Sequence, residues 1–191
     1  MSTNSNVPAR AKWAEDGEHF SALPQYFEPR WYAGQTCSRH EKSVAKQMDR
    51  RGVEHFLPLY ERVSRWKDRR VRLELPLFPG YIFVRIALRD QLKVLQIPGI
   101  VRLVGFNGRP AALSETEMTT LQTGLSGVKA EPYPFLKEGQ IVRIRSGPLG
   151  GLSGYLVRRK QKERIVISID SIMRAFIAEV SLDDIEIPEG R

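Results

Sequence analysis

The sequence predicts two units of different class, an α+β unit with helices packed on an antiparallel sheet, followed by a small β-barrel. Three observations predict this. Alternating, strand-like runs and helix-start signals interleave as far as Leu125. A stretch rich in Gly and Pro follows at residues 126–134. Everything beyond it reads as short, turn-separated strands.

In the first unit, Trp31 to Thr36 suits a strand, and Ser38-Arg39-His40-Glu41 has the form of a capping box that opens a helix. Val44, Ala45 and Met48 give that helix one narrow apolar face, and Gly52 stands where a left-handed terminating residue is wanted. Val53 to Tyr60 reads as a strand. Glu61 to Arg70 reads as an exposed hairpin tip, and Val71 to Leu75 alternates as a half-buried strand does. Leu77-Phe78-Pro79-Gly80 breaks the chain before the apolar strand Tyr81 to Ile86. A short helix from Arg89 to Gln96 ends at Pro98-Gly99, and Ile100 to Phe106 forms a strand closed by Asn107-Gly108. Ser114-Glu115-Thr116-Glu117 is a second capping box, and Met118, Leu121 and Leu125 form the seam of its helix. In the second unit, strands are expected at 141–145, 153–159, 164–169, 172–180 and 185–187, closing a small barrel that removes exposed edges. Its Val142, Ile144 and Val157 are expected to fill the interior. The boundaries read from the sequence are an N-terminal extension at 1–29, an α+β domain at 30–125, a linker at 126–134, a barrel at 135–187 and a tail at 188–191.

Composition narrows the function. The net charge is +8, from 30 Lys plus Arg against 22 Asp plus Glu, which favours polyanionic neighbours. Cys37 is the only cysteine, and His19, His40 and His55 lack ligand spacing, so no disulfide, zinc site or other cofactor is expected. No apolar run approaches the roughly 18 residues of a membrane span, and the expectation is a soluble, cytoplasmic monomer. No nucleophile, base and orienting group share a recognisable spacing, so an enzyme is not expected; Asp183-Asp184 reads as a turn.

Two motifs carry chemistry. Pro76-Leu77-Phe78-Pro79-Gly80-Tyr81-Ile82-Phe83-Val84 sets aromatic bulk at a turn and along one strand, where Tyr81 and Phe83 share a face. Such rings either pack in a core or wait for a partner. In Glu138-Gly139-Gln140-Ile141-Val142-Arg143-Ile144-Arg145-Ser146-Gly147-Pro148-Leu149-Gly150-Gly151-Leu152-Ser153-Gly154, the glycines permit positive φ and close chain approach around Pro148. Gly147, Pro148, Gly150, Gly151 and Gly154 form a turn that is either purely structural or a contact surface.

The aromatic motif resembles the signature of the NusG N-terminal (NGN) domain, as do Trp31-Tyr32, Ile97-Pro98-Gly99-Ile100-Val101 and Val104-Gly105-Phe106. The glycine-rich motif is similar to a KOW motif, so the resemblance implies an NGN fold and an SH3-like barrel over Arg30 to Ile187. It further implies a transcription elongation or antitermination factor whose concave apolar patch grips the clamp helices of the largest RNA polymerase subunit and suppresses pausing. By position the patch is Tyr32, Gln35, Phe78, Tyr81 and Phe83. Arg39, His40 and Lys42 lie where similar factors face the non-template DNA strand, and Leu92 and Lys93 where they face the opposite side of the cleft. Arg62, Arg65, Lys67, Arg69 and Arg70, interleaved with Trp66, are either a solvated run or a nucleic-acid contact. Residues 158–164 read as a barrel hairpin tip that is either merely exposed or a contact for RNA or a protein partner of the KOW domain.

General NusG proteins carry an Ile-Phe-Gly-Arg-like segment that engages Rho and ribosomal protein S-ten. Here Ile169 is followed by Asp170-Ser171-Ile172-Met173-Arg174-Ala175-Phe176, so the resemblance does not extend to those two partners. With residues 50–60 and Trp66 to Arg70, this points to the specialised paralogues of the UpxY type, antiterminators of polysaccharide-biosynthesis operons. The competing reading is an RNA- or ribosome-binding KOW module that does not act on polymerase.

Overall fold

The computed structural model describes residues 24–65, 69–133, 139–159, 162–169 and 172–188. A short helix α1 (Pro24–Phe27) precedes β1 (Arg30–Thr36), α2 (Glu41–Arg50), β2 (His55–Phe56), β3 (Leu59–Arg65), β4 (Arg70–Pro76) and β5 (Tyr81–Ile86). Next come α3 (Gln91–Leu95), β6 (Ile100–Leu103), β7 (Gly105–Phe106), β8 (Arg109–Pro110), β9 (Ala112–Leu113) and α4 (Glu115–Gly124). The C-terminal part is all strand: β10 (Ala130–Tyr133), β11 (Gln140–Ile144), β12 (Ser153–Arg159), β13 (Lys162–Ile169), β14 (Arg174–Glu179) and β15 (Ile185–Glu186). Most of the expected N-terminal extension, with Trp13 and Phe20, lies outside the described residues.

Strand β1 is the centre of the first sheet, with order β2-β5-β1-β6; β9 takes the remaining length of β1's second edge. The pairing is antiparallel throughout, and the register Ala33↔Phe83 and Gln35↔Tyr81 aligns one face while Tyr32↔Val84 and Gly34↔Ile82 aligns the other. Both faces are apolar. Tyr32, Ile82, Val84 and Ile86 pack with Val44 and Met48 of α2 and with Val94 and Ile97. Trp31, Ala33 and Phe83 point the other way, toward α4 and the C-terminal sheet. Strands β1 and β5 are therefore buried on both sides, which explains their near-continuous apolar runs.

The second sheet has the order β10-β14-β13-β12-β11-β15, all antiparallel. The face bearing Ile165, Ile167, Phe176 and Ala178 shares one cluster with Trp31, Phe78, Phe83, Met118 and Leu121. Its opposite face holds Val166, Ala175 and Ile177, with Tyr133 and Val157 against them. Val157 thus packs on the face away from Val142 and Ile144, because it alternates with Leu156, the register partner of Gln140. Ala130–Tyr133, within the stretch read as a linker, pairs with β14 as an edge strand.

Local details depart from expectation where tertiary contacts compete. The first capping box does not form: His40 is the N-cap without a side-chain cap, and Glu41 is turned inward. At Ser114 the N-cap bond of the expected box forms, Ser114 Oγ accepting from the Glu117 N–H at 3.3 Å. The end of α2 is a Schellman motif at Gly52 (φ +63°), with Gly52 N–H donating to Asp49 O and Val53 N–H to Met48 O. The strand expected at Val53 to Tyr60 is split at Leu57-Pro58, where proline removes a ladder donor. The strand expected at Ile100 to Phe106 breaks at Val104, and Asn107-Gly108 turns the β7–β8 hairpin with positive φ at both residues. The segment read as a hairpin tip, Glu61 to Arg70, contributes Glu61–Arg65 to β3 and Arg70 to β4, which makes the ribbon longer than expected.

Helix α4 joins the two sheets. A Cβ on its last residue, Gly124, would stand 2.2 Å from the Pro148 carbonyl oxygen and 2.8 Å from Leu149 Cδ2, so the glycine turn of the C-terminal unit rests on this position. Gly124→Ala should push the turn off the helix and lower stability by about 1–3 kcal/mol, a loss that thermal denaturation will measure.

Candidate polymerase-facing surface and cationic ribbon

The aromatic turn is held by its backbone. Gly80 has φ +84°; its N–H donates to Glu41 Oε1 at 2.7 Å, and its carbonyl accepts from Thr36 N–H at 2.8 Å. Glu41 is only 4% exposed, a burial that a carboxylate tolerates when a strong donor meets it. Position Gly80 needs the positive φ, and the two bonds fix how Phe78 and Tyr81 leave the turn. Glu41→Ala would strand the Gly80 N–H in the interior and should cost about 1–3 kcal/mol in denaturant titrations.

From this turn an aromatic array crosses to the C-terminal sheet. Phe78 meets Phe83 edge-on at 5.6 Å between centroids, Phe83 stacks with Phe56 at 6.3 Å, and Phe78 meets Phe176 of β14 edge-on at 5.8 Å. The Arg174 guanidinium lies 5.4 Å from the Tyr81 ring centroid, within cation–π range. Phe78 and Phe83 are buried, while Tyr81 and Gln35 are half-buried. Gln35 shares the Tyr81 face by register, and its Oε1 accepts from Arg102 Nε at 2.8 Å. Phe78, Tyr81 and Phe83 therefore come together under the C-terminal sheet, with Gln35 on the same face of the first sheet. Phe176 and Arg174, which complete this surface beside Trp31, had no local signature; only the packing of the two sheets brings them here.

Tyr32 does not join them. It lies on the helix-facing side of β1, fully buried, and among the described residues its hydroxyl has no hydrogen-bond partner. Burial raises its pKa above the ordinary tyrosine value, with the Arg30 charge opposing weakly. A raised pKa in the folded chain means that the neutral form's stability is complete below about pH 10 and is lost as pH rises through the folded value. Tyr32→Phe should leave stability unchanged or raise it by up to about 2 kcal/mol, and should blunt the alkaline loss followed by circular dichroism.

The cations fall in two groups. Arg39 (φ +64°), His40 and Lys42 are exposed around the start of α2, and Lys42 Nζ reaches Glu74 Oε2 of β4 at 3.7 Å. Arg62, Arg65, Arg69 and Arg70 are exposed on the β3–β4 ribbon; Trp66 and Lys67 lie outside the described residues. Leu92 is 62% exposed, and the neighbouring Lys93 pairs with Asp90 at 2.8 Å, which with Arg89 holds that carboxyl below its usual range. In the glycine turn Gly147 (φ +85°) and Gly151 (φ +92°) need their freedom, and a Cβ at Gly154 would meet Val166 O at 2.4 Å. Pro148 touches α4 there, and Gly150 N–H donates to Gly147 O. The side chains of Arg158, Arg159 and Arg164 are outside the described residues. No helix among the described residues is long and apolar enough to cross a membrane, and no group of three His, Cys, Asp or Glu among them could hold a metal.

A helix-covered antiparallel sheet with an aromatic turn, joined by a short helix to a glycine-turned β domain, defines a two-part α+β factor of the NusG type. Residues 29–122 match the NusG family model, described as transcription termination factor nusG. The chain is 28% identical over 137 residues to the transcription termination/antitermination protein NusG of Helicobacter pylori strain J99, covering 64% of this chain and 77% of that one. It is 28% identical over 173 residues to the Yersinia pestis NusG, covering 82% and 95%. A solved structure of Thermotoga maritima NusG, concerned with domain interaction, superposes with TM-score 0.52 at 22% identity over 85% of this chain and 98% of that one. The chain is thus NusG-like, and the relatives it resembles are transcription termination/antitermination proteins.

Proposed function

We propose that the chain binds the clamp helices of the largest RNA polymerase subunit through the face bearing Gln35, Phe78, Tyr81 and Phe83, and thereby suppresses pausing or termination without a catalytic step. The observation that carries this reading is the amount of apolar surface on one side of the first sheet. Its own helices α2 and α3 cover the other side, and α4 covers only part of this one, leaving Phe78 and Phe83 to the C-terminal β domain. A sheet face with such rings is either covered permanently or exchanged between partners. In this closed arrangement Phe176 and Arg174 stand where polymerase would sit. Release of the C-terminal sheet then exposes anchors worth about 1.5–3 kcal/mol each on burial.

The start of α2 with Arg39, His40 and Lys42 is assigned to the non-template DNA strand, and Leu92-Lys93 to the opposite wall of the polymerase cleft. Absence of an Ile-Phe-Gly-Arg segment after Ile169 supports a dedicated antiterminator of the UpxY type, acting at polysaccharide-biosynthesis operons, over a general factor. The division into an N-terminal domain at 30–125 and a C-terminal domain at 135–187 belongs to this proposal, as does a monomeric, cytoplasmic state.

Capture of core polymerase by the full-length chain tests the reading. Arg174→Glu, which removes the cation from Tyr81 and places a carboxylate against its ring, should open the molecule and raise capture several-fold. Tyr81→Ala in that opened background should abolish it. Capture that is absent, or indifferent to both substitutions, would sink the proposal, and binding of RNA by the C-terminal domain instead would support the KOW-module alternative.

A further inference from the structure

Strands β12 and β13 separate at a definite point. Their register spans Arg159↔Lys162 to Tyr155↔Val166; beyond it β12 continues to Ser153 beside β11, and β13 to Ile169 beside β14. At the fork Gly154 lies so close to Val166 that a Cβ would overlap the Val166 carbonyl oxygen, which only glycine permits. Strand β9 and the first turns of α4 face the fork from the first unit, and a cleft of about 400 Å³ lies between them. That volume is typical of small-molecule sites, which run from roughly 300 to 1,000 Å³.

The lining sets what the cleft can take. Met118 and Leu121 of α4, with Leu152 and Ile167 of the fork, are buried and make apolar walls. Glu117 and Ser153 are exposed and supply the polar rim. Glu117 is placed by its own N–H, which donates to Ser114 Oγ at 3.3 Å. The start of α4 already carries its anions, because Glu115 and Glu117 both stand in the first turn, and Arg85 engages Glu115 at 3.4 Å. An anionic ligand would therefore meet a carboxylate. An ammonium meets a counter-charge in Glu117 and a further acceptor in the Ser153 hydroxyl. The complementary molecule is a small amine with an apolar body.

We propose that this cleft binds a small amphiphilic amine, with its ammonium on Glu117 and its apolar body between the α4 wall and the fork, and that the bound amine holds the two parts of the chain closed. Met118 and Leu121 belong to the first unit and Leu152 and Ile167 to the second, so a molecule touching both walls binds only the closed arrangement. Binding to one state draws the equilibrium toward it by mass action. The consequence for polymerase rests on the opening proposed above: the amine acts against capture.

Calorimetric titration of the full-length chain decides it, using tryptamine and, as the probe with the same ring and opposite charge, indole-3-propionate. Tryptamine should bind saturably at one site per chain, about tenfold more tightly than the acid. Glu117→Gln should weaken tryptamine about three- to fivefold and leave the acid unchanged or tighter. Ser153→Trp should fill the cleft from its rim and abolish binding; both positions are exposed, so neither change disturbs the core. In the Arg174→Glu chain, whose walls separate, tryptamine should bind several-fold more weakly, and in the parent it should lower polymerase capture. No saturable binding, equal affinity for the two probes, or indifference to Glu117→Gln and Ser153→Trp overturns the site. Unchanged affinity in the Arg174→Glu chain overturns the closing role. The two readings fail separately: polymerase capture by the Arg174→Glu chain without tryptamine binding by the parent defeats this inference alone, whereas Glu117-dependent binding without capture by any variant defeats the polymerase reading and leaves the site standing.

Discussion

Everything in this fold depends on a single strand pair that is apolar on both sides. Strands β1 and β5 send Tyr32, Ile82, Val84 and Ile86 into a helix-covered core, and Trp31, Ala33 and Phe83 out toward whatever lies opposite. One sheet face is satisfied within the N-terminal part. The other needs a cover, and α4 with the C-terminal sheet supplies it through Met118, Leu121 and Phe176. The hydrophobic effect is non-directional, so apolar area and shape, not specific bonds, set what covers this second face.

Directional groups set the geometry around that face. The Gly80 N–H and carbonyl are both engaged, by Glu41 and Thr36, so the turn presenting Phe78 and Tyr81 is rigid before any partner arrives. Rigidity of this kind reduces the ordering cost of binding. The same Glu41 opens α2, and its neighbours Arg39, His40 and Lys42 surround the helix start. One buried carboxylate thereby couples the aromatic turn to the cationic helix start, and Lys42 extends the connection to the ribbon.

Closure of the two parts is built from features that are strong in sum and individually replaceable. The Phe78–Phe176 contact and the Arg174–Tyr81 stack are side-chain contacts without a backbone ladder between the sheets. Gly124 permits the Pro148 turn to sit directly on α4, a steric condition and not an attraction. Such an interface can hold the aromatic face against solvent and still yield it to a competing surface, as the proposed action on polymerase requires.

The sequence alone determined the local periods: the order of strands and helices, the Ser114 cap, the Gly52 terminus, the strand-reversing glycines at 147 and 151, and the shared face of Tyr81 and Phe83. These follow from backbone geometry within a few residues. Long-range pairing decided the rest. Glu41 abandoned its capping box because the Gly80 N–H, 39 residues away, offered a buried donor. Residues 130–133 became a strand because β14 presented an open edge. Tyr32 separated from its expected companions because alternation along β1 puts it out of phase with Gln35. Whether Phe78 and Phe83 are covered could not be read from their own neighbourhood, since their cover comes from Phe176, almost a hundred residues downstream, and burial is a property of the assembled faces.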